Sequence, residues 1–231
     1  MLRRFLLLSL LFIVGTLRAQ DGPINTLTDA EKAAGFKLLF DGKTADGWRG
    51  YKQKTLPSGW KIMDGLLTRV GGGGDIISDG EYGNFELLID WKISPKGNSG
   101  IMYHVKEGPE TAYMTGPEYQ VLDNDRHADG KNKLTRAASC YGLYPATKEV
   151  CKPAGEWNHT RIVIKDGHVE HWLNDVKVVE YQKGGDEWNK KVAGSKFKAW
   201  SEFGKPTKGH IALQDHGDKV EYRNIKIKAM E

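Results

Sequence analysis

Cysteine is nearly absent: Cys140 and Cys151 are the only two in 231 residues. So small a number excludes a disulfide-stapled miniature scaffold, and no further Cys or His stands around them at metal-ligand spacing. One bridge between them is chemically permitted in an exported chain and would add about 2–3 kcal/mol. Two free thiols are the alternative, because bridging needs their Cα atoms close in space and sequence proximity does not ensure that.

Long hydrophobic runs are missing beyond the first nineteen residues. There, Arg3 and Arg4 precede an apolar run over residues 5–14, followed by small or polar residues up to Ala19. The pattern predicts a secretory signal peptide over 1–19, too short in its apolar core for a membrane span; an uncleaved anchor is the alternative. The expected mature protein is periplasmic or extracellular, with no membrane anchor and no cysteine placed for lipid attachment.

Charge of one sign is lacking as well. Cleavage after Ala19 takes Arg3, Arg4 and Arg18 and no acidic side chain from the 34 basic and 30 acidic residues, leaving +1. No basic stripe matches a phosphate backbone, which argues against nucleic acid as a partner. Gly-x-Ser-x-Gly and His-Glu-x-x-His do not occur, and the glycine tract 71–74 lacks the Lys and Ser/Thr of a phosphate loop.

What the chain does have is strands. Thr28-Asp29-Ala30-Glu31 is a capping box, with Gly35 as a stop, so the segment 20–35 carries one short helix at 28–34. Strand-like runs follow at 36–40, 60–63, 66–70, 75–77, 85–93, 100–106, 118–122, 139–144, 160–165, 169–173, 176–181, 210–214 and 220–228. Asp64-Gly65, Asp166-Gly167 and Asn174-Asp175 are two-residue hairpin signals between them. A second short helix is expected within 186–198, where Trp188 and Val192 are four apart. Residues 36–231 therefore read as one all-β domain, a sandwich or jelly roll.

Several strands pair an apolar face with a chemically capable one. In Glu118-Tyr119-Gln120-Val121-Leu122, alternation separates Glu118 and Gln120 from Tyr119 and Val121. Ile101 and Tyr103 oppose Met102 and His104, while Ile211 and Leu213 oppose His210, Ala212, Gln214 and His216. Solvent exposure alone makes polar sheet faces, usually from Lys, Ser and Thr. Carboxyl, amide and imidazole groups in their place suit a carbohydrate groove, with aromatic rings to cover the apolar face of a sugar. Trp60, Trp91 and Trp157 are expected in the core, and Trp48 and Trp172 in more open positions.

These residues stand in an ordered set of motifs: Leu39-Phe40-Asp41-Gly42-Lys43-Thr44 with Gly47-Trp48, Asn84-Phe85-Glu86-Leu87, Gly97-Asn98-Ser99-Gly100-Ile101, Glu118-Tyr119-Gln120-Val121-Leu122-Asp123, Trp157-Asn158, Leu213-Gln214-Asp215-His216-Gly217 and Arg223-Asn224-Ile225. From about 35 to 228 the sequence resembles the 3-keto-disaccharide hydrolase family of bacterial secreted proteins. The resemblance implies a concanavalin-A-like jelly roll, related in architecture to lectins and family-16 glucanases. It also implies cleavage of a glycoside or oligosaccharide whose C3 hydroxyl is already a ketone. Such a ketone acidifies the C2 proton, so the C1 group can leave by elimination and water can then add.

That chemistry needs a base, an acid and a stabiliser for the enolate. Glu118 is the candidate base, His104 or His216 the candidate acid, and Gln120, Gln214, Arg223, Asp123, His171 and Trp48 the candidate substrate contacts. No organic cofactor is expected. A divalent cation (Ca²⁺, Mn²⁺ or Zn²⁺) is the open option, with Glu118 and His104 as candidate ligands. The competing readings are a non-catalytic sugar-binding module and a classical glucanase, for which Gln120 stands where a second acid would be wanted.

Overall fold

The computed structural model describes residues 23–231, and the expected signal peptide lies outside them. Its elements, in chain order, are α1 (Asp29–Ala33), β1 (Lys37–Leu38), β2 (Trp48–Gly50), β3 (Trp60–Met63), β4 (Leu66–Arg69), β5 (Ile76–Tyr82), β6 (Phe85–Ile93) and β7 (Asn98–Val105). They continue with β8 (Glu118–Leu122), β9 (Asn158–Lys165), β10 (His168–Leu173), β11 (Val176–Gln182), α2 (Asp186–Ala193), β12 (Gly209–Leu213) and β13 (Val220–Ala229).

The three expected hairpin dipeptides set much of the register. Asp64-Gly65, Asp166-Gly167 and Asn174-Asp175 all have positive φ at both central positions, the mirror-image turn that matches strand twist. They join β3 to β4, β9 to β10 and β10 to β11 antiparallel. The larger sheet runs β11-β10-β9-β6-β13-β4-β3, with β1 also on β13; the smaller runs β2-β5-β12-β7-β8. The two pack face to face as the jelly-roll sandwich. Trp60, Trp91, Phe85, Leu87 and Tyr222 from one side meet Ile101, Tyr103, Tyr119, Val121, Ile211 and Leu213 from the other, all buried.

Several features refine the sequence expectation or depart from it. Residues 139–144 make only isolated bridges, Tyr119 with Cys140 and Cys140 with Tyr144, whereas Trp48–Gly50 adds an edge strand. The second helix ends at Ala193 before Gly194, and a separate 3-10 turn covers Lys196–Ala199. The cysteines are free, since each thiol has its own surroundings: Cys140 Sγ lies 3.5 Å from Tyr181 Oη in the core, and Cys151 Sγ faces the Leu122 carbonyl. Trp157 lies outside the core and stacks under the Arg223 guanidinium at 4.0 Å.

Candidate active-site cleft on the smaller sheet

Register places the capable side chains in a row across four strands. Leu213 pairs with both Ile76 and Ile101, so the next residues, Asp75, Gln214 and Gly100, come level; Gly100 pairs in turn with Gln120, and Met102 with Glu118. All belong to the face turned away from the sandwich core. At Gly100 an added Cβ would overlap the Glu118 carboxyl group, which therefore lies across β7 and would have to shift to make room.

The cleft above this row, about 140 Å³, is lined by Asn98, Tyr113, Glu118, Gln120, Tyr141, Lys196, Phe197, Gln214 and His216. A second lobe of about 350 Å³ shares Tyr113, Gln214 and His216 with it and adds Asp75, Tyr51 and Glu110 among others. Gln120 is fully buried, yet neither its Oε1 nor its Nε2 has a partner; Asn98 Oδ1 and Gln214 Oε1 are likewise unpartnered. A buried polar atom left so costs about 1–3 kcal/mol, so three amides around one carboxyl group have unused capacity for a ligand's hydroxyls.

Glu118 receives only a long contact from Gln214 Nε2, 3.5 Å. Burial pushes its carboxyl up to about 8, and the nearby Asp75 and Asp129 add to the rise while Lys196 and Gln214 oppose it. Burial also raises Asp75, to about 6, with the neighbouring Asp215 charge adding and its backbone amide opposing. The cover over Glu118 comes from loops. Trp188 of α2 stacks between Tyr181 and Phe203, Gly194 ends that helix, and the 3-10 turn buries Phe197. Lys196, beside it, holds Nζ 4.5 Å from the Tyr141 ring centroid. Tyr113, Tyr141 and Lys196 were not among the sequence candidates, because loop and turn residues have no periodicity to mark them; Asn98, first in β7, and Asp75, just before β5, were missed although they share parity with Gly100 and Ile77.

Glu118, Gln120, Gln214 and His216 thus share one cleft, with His216 exposed at its rim. The other candidates lie elsewhere. His104 occupies a bulge with φ of 55°, where two residues of β7, Tyr103 and His104, stand against one of β12, Ile211. The ring is thereby turned off the Met102 face: Nε2 donates to the Gly83 carbonyl at 2.9 Å, and burial lowers the imidazole to about 4. His104 lines a different cavity of about 1000 Å³, with Lys183, Trp188 and Phe203, so it is not a ligand pair for Glu118.

Asp123 caps a loop, accepting from the Lys96 and Asp125 amides. His171 is core: Nδ1 donates to the Ala138 carbonyl, Nε2 accepts from Tyr103, and burial lowers it to about 4. Trp48 is buried with Nε1 donating to the Leu39 carbonyl. Arg223 lies on the outer face of the larger sheet, paired with Asp90. Among the described residues, the group spaced for a cation is His168, Glu170 and Glu180, also on the larger sheet, where Lys177 Nζ already bridges the two carboxylates.

Known proteins align with this architecture along nearly its whole length. The family model of the 3-keto-alpha-glucoside-1,2-lyase-like domain matches residues 35–228. A protein named 3-keto-disaccharide hydrolase from Bacteroides thetaiotaomicron is 39% identical over 231 residues, covering 86% of this chain and 80% of its own. The crystal structure of a candidate glycosyl hydrolase from Parabacteroides distasonis is 38% identical, with a TM-score of 0.85, 90% of this chain covered and 100% of the other. A second from that organism is 27% identical with a TM-score of 0.61, covering 79% and 99%.

Proposed function

Because the chain belongs to the 3-keto-alpha-glucoside-1,2-lyase-like domain family and is a carbohydrate-acting hydrolase, we propose that its cleft cleaves 3-keto-glycosides at C1 by elimination followed by hydration. The supporting observation is the set of unpartnered amides of Asn98, Gln120 and Gln214 around a carboxyl group held near 8. A hydroxyl-rich ring satisfies those amides, and a carboxyl group of that pKa exchanges protons readily near neutral pH. Lys196 supplies positive charge on the same side of the cleft, suited to an enolate as it forms. Tyr113, Tyr141 and Phe197 offer apolar surface to the sugar's C–H face.

Export accompanies this reading, on the strength of Arg3, Arg4 and the apolar run at 5–14. Incubation with an aryl 3-keto-glucoside and with its unoxidised parent tests the activity. Aglycone released only from the keto sugar is expected; tight binding of both sugars without turnover overturns the enzyme reading in favour of a lectin-like module.

A further inference from the structure

Asp75 stands at the far end of the row that holds Glu118. Gln214 and Gly100 lie between them, and the Glu118 carboxyl group is already drawn over Gly100. That leaves two strand spacings, roughly 10 Å of backbone separation, between the ends of the gap, which two facing side chains narrow to the width of a sugar ring. The Asp75 backbone is fixed by β5, and Oδ1 accepts from the Asp215 amide at 2.9 Å. Asp215 is itself held by Arg69 at 2.7 Å and by the Gly74 amide at 3.1 Å. Gln214 and His216 border both lobes, so one ligand can touch both carboxyl groups.

We propose that Asp75 takes the C2 proton of the 3-keto sugar while Glu118 protonates the departing glycosidic oxygen. This assignment rests on the elimination reading above and gives Glu118 the acid's part in place of the base's. As the C2–H bond breaks to Asp75, its electrons form the C2–C3 enolate. The enolate collapses, the C1–O bond breaks, and the Glu118 proton goes to the leaving oxygen, giving the C1–C2 enone. Water then adds at C1, giving a proton to Glu118, and Asp75 returns its proton to C2. Both side chains end as they began, and the sum is hydrolysis.

Resting charges agree with these roles. At neutral pH, Asp75, held near 6, is ionised and Glu118, held near 8, is protonated. The charged and titratable groups around Glu118 are Lys196, Asp129, His216 and Asp75 itself, and Asp215, Glu110 and His216 stand around Asp75. Activity then falls on both sides of a window from about 6 to about 8. Swapped roles give the same bell, so the two half-reactions need separate assays.

The 3-keto derivative of 1,5-anhydroglucitol has an exchangeable C2 proton and no exocyclic leaving group at C1. In D₂O, wild-type protein and Glu118→Gln are expected to exchange that proton, and Asp75→Asn to lose at least about 10²-fold. Asp75→Asn keeps an Oδ1 acceptor for the Asp215 amide, and Asp75→Glu should restore part of the exchange. Glu118→Gln should lose far more on a 3-keto-disaccharide than on a 3-keto-glucoside with an acidic nitrophenol leaving group, whereas Asp75→Asn should lose equally on both. Exchange retained by folded Asp75→Asn, or lost only in Glu118→Gln, overturns the assignment alone. A wild-type protein that neither exchanges nor releases aglycone overturns the elimination reading and this assignment together.

Discussion

On the outward face of the larger sheet, Asp90 accepts from His159 at 2.8 Å, from Asn224 at 2.7 Å and from Arg223 at 3.3 Å. Glu221 there takes Lys92 at 2.7 Å and Lys219 at 2.9 Å, and Glu170 takes Trp172 and Lys177. Burial would raise these three carboxyl groups, but their partners outweigh it and each lies below its ordinary value. On the outward face of the smaller sheet, Glu118 and Asp75 are also partly buried, receive one side-chain hydrogen bond each, and are raised. Equal chemistry on equal scaffolds has been driven in opposite directions by the number of partners supplied. A face whose charges are mutually satisfied stabilises the fold; a face that leaves a carboxyl group and three amides short of partners stores capacity for a ligand.

The largest effect should come from Glu118→Gln. Turnover of a 3-keto-disaccharide is expected to fall by about 10³-fold or more, and kcat measured at saturating substrate checks it. Stability should move the other way. A carboxyl group whose folded pKa of about 8 exceeds its unfolded value stabilises the fold only while protonated, so its contribution is lost as pH rises toward 8. Thermal unfolding at pH 9 should show Glu118→Gln above wild type by at least about 1 kcal/mol, roughly 2–4 °C for a chain of this length; at pH 4 the two should coincide.

Gly100→Ala sharpens the same contrast without replacing an ionisable group. The added methyl meets the Glu118 carboxyl end, a flexible terminus that can move aside, so the fold should survive. Displacing the carboxyl group by about 1 Å should lower kcat/KM by roughly 10²-fold. A melting temperature near wild type together with full activity would show that the carboxyl position does not matter to the reaction.

What the sequence made legible was whatever strand periodicity and turn chemistry encode. The hairpin dipeptides, the opposition of Glu118 and Gln120 to Tyr119 and Val121, and Gln214 opposite Leu213 all follow from a period of two. His104 escaped because one extra residue in a bulge reverses parity, and nothing in Met102-Tyr103-His104-Val105 announces it. His171 carried a usable signal: it shares parity with Val169 and Leu173, both buried, which places it inward. Arg223 does face outward, but alternation does not say which of two sheets an outward residue belongs to. Lys196, Tyr113 and Tyr141 reach the cleft from loops or short turns, where only tertiary packing, anchored by Trp188 and Phe197, fixes direction.

On the paired face the order of effects inverts, with stability changing and activity not. Asp90→Asn leaves Arg223 and His159 without their carboxylate and should cost about 1–3 kcal/mol in urea unfolding at pH 7. Because the Asp90 folded pKa is depressed, the stability it supplies is present above the unfolded carboxyl value and lost as pH falls through the folded one. The gap between Asp90→Asn and wild type should therefore shrink in acid.

The smallest change expected is that of Arg223→Ala. Its guanidinium is shared between Asp90 at 3.3 Å and the Trp157 ring at 4.0 Å, and with the Arg223 side chain itself about a quarter exposed each interaction contributes about 1 kcal/mol. Unfolding free energy should fall by no more than about 2 kcal/mol, the sum of two such contacts, and part of it should vanish at high salt because the ion pair is screened. Turnover of a 3-keto-glycoside should stay within about two-fold of wild type, the ordinary outcome for a surface substitution remote from the reacting groups. A loss of turnover with stability intact would mean that the larger sheet takes part in substrate handling, and the division of labour between the two faces would fail.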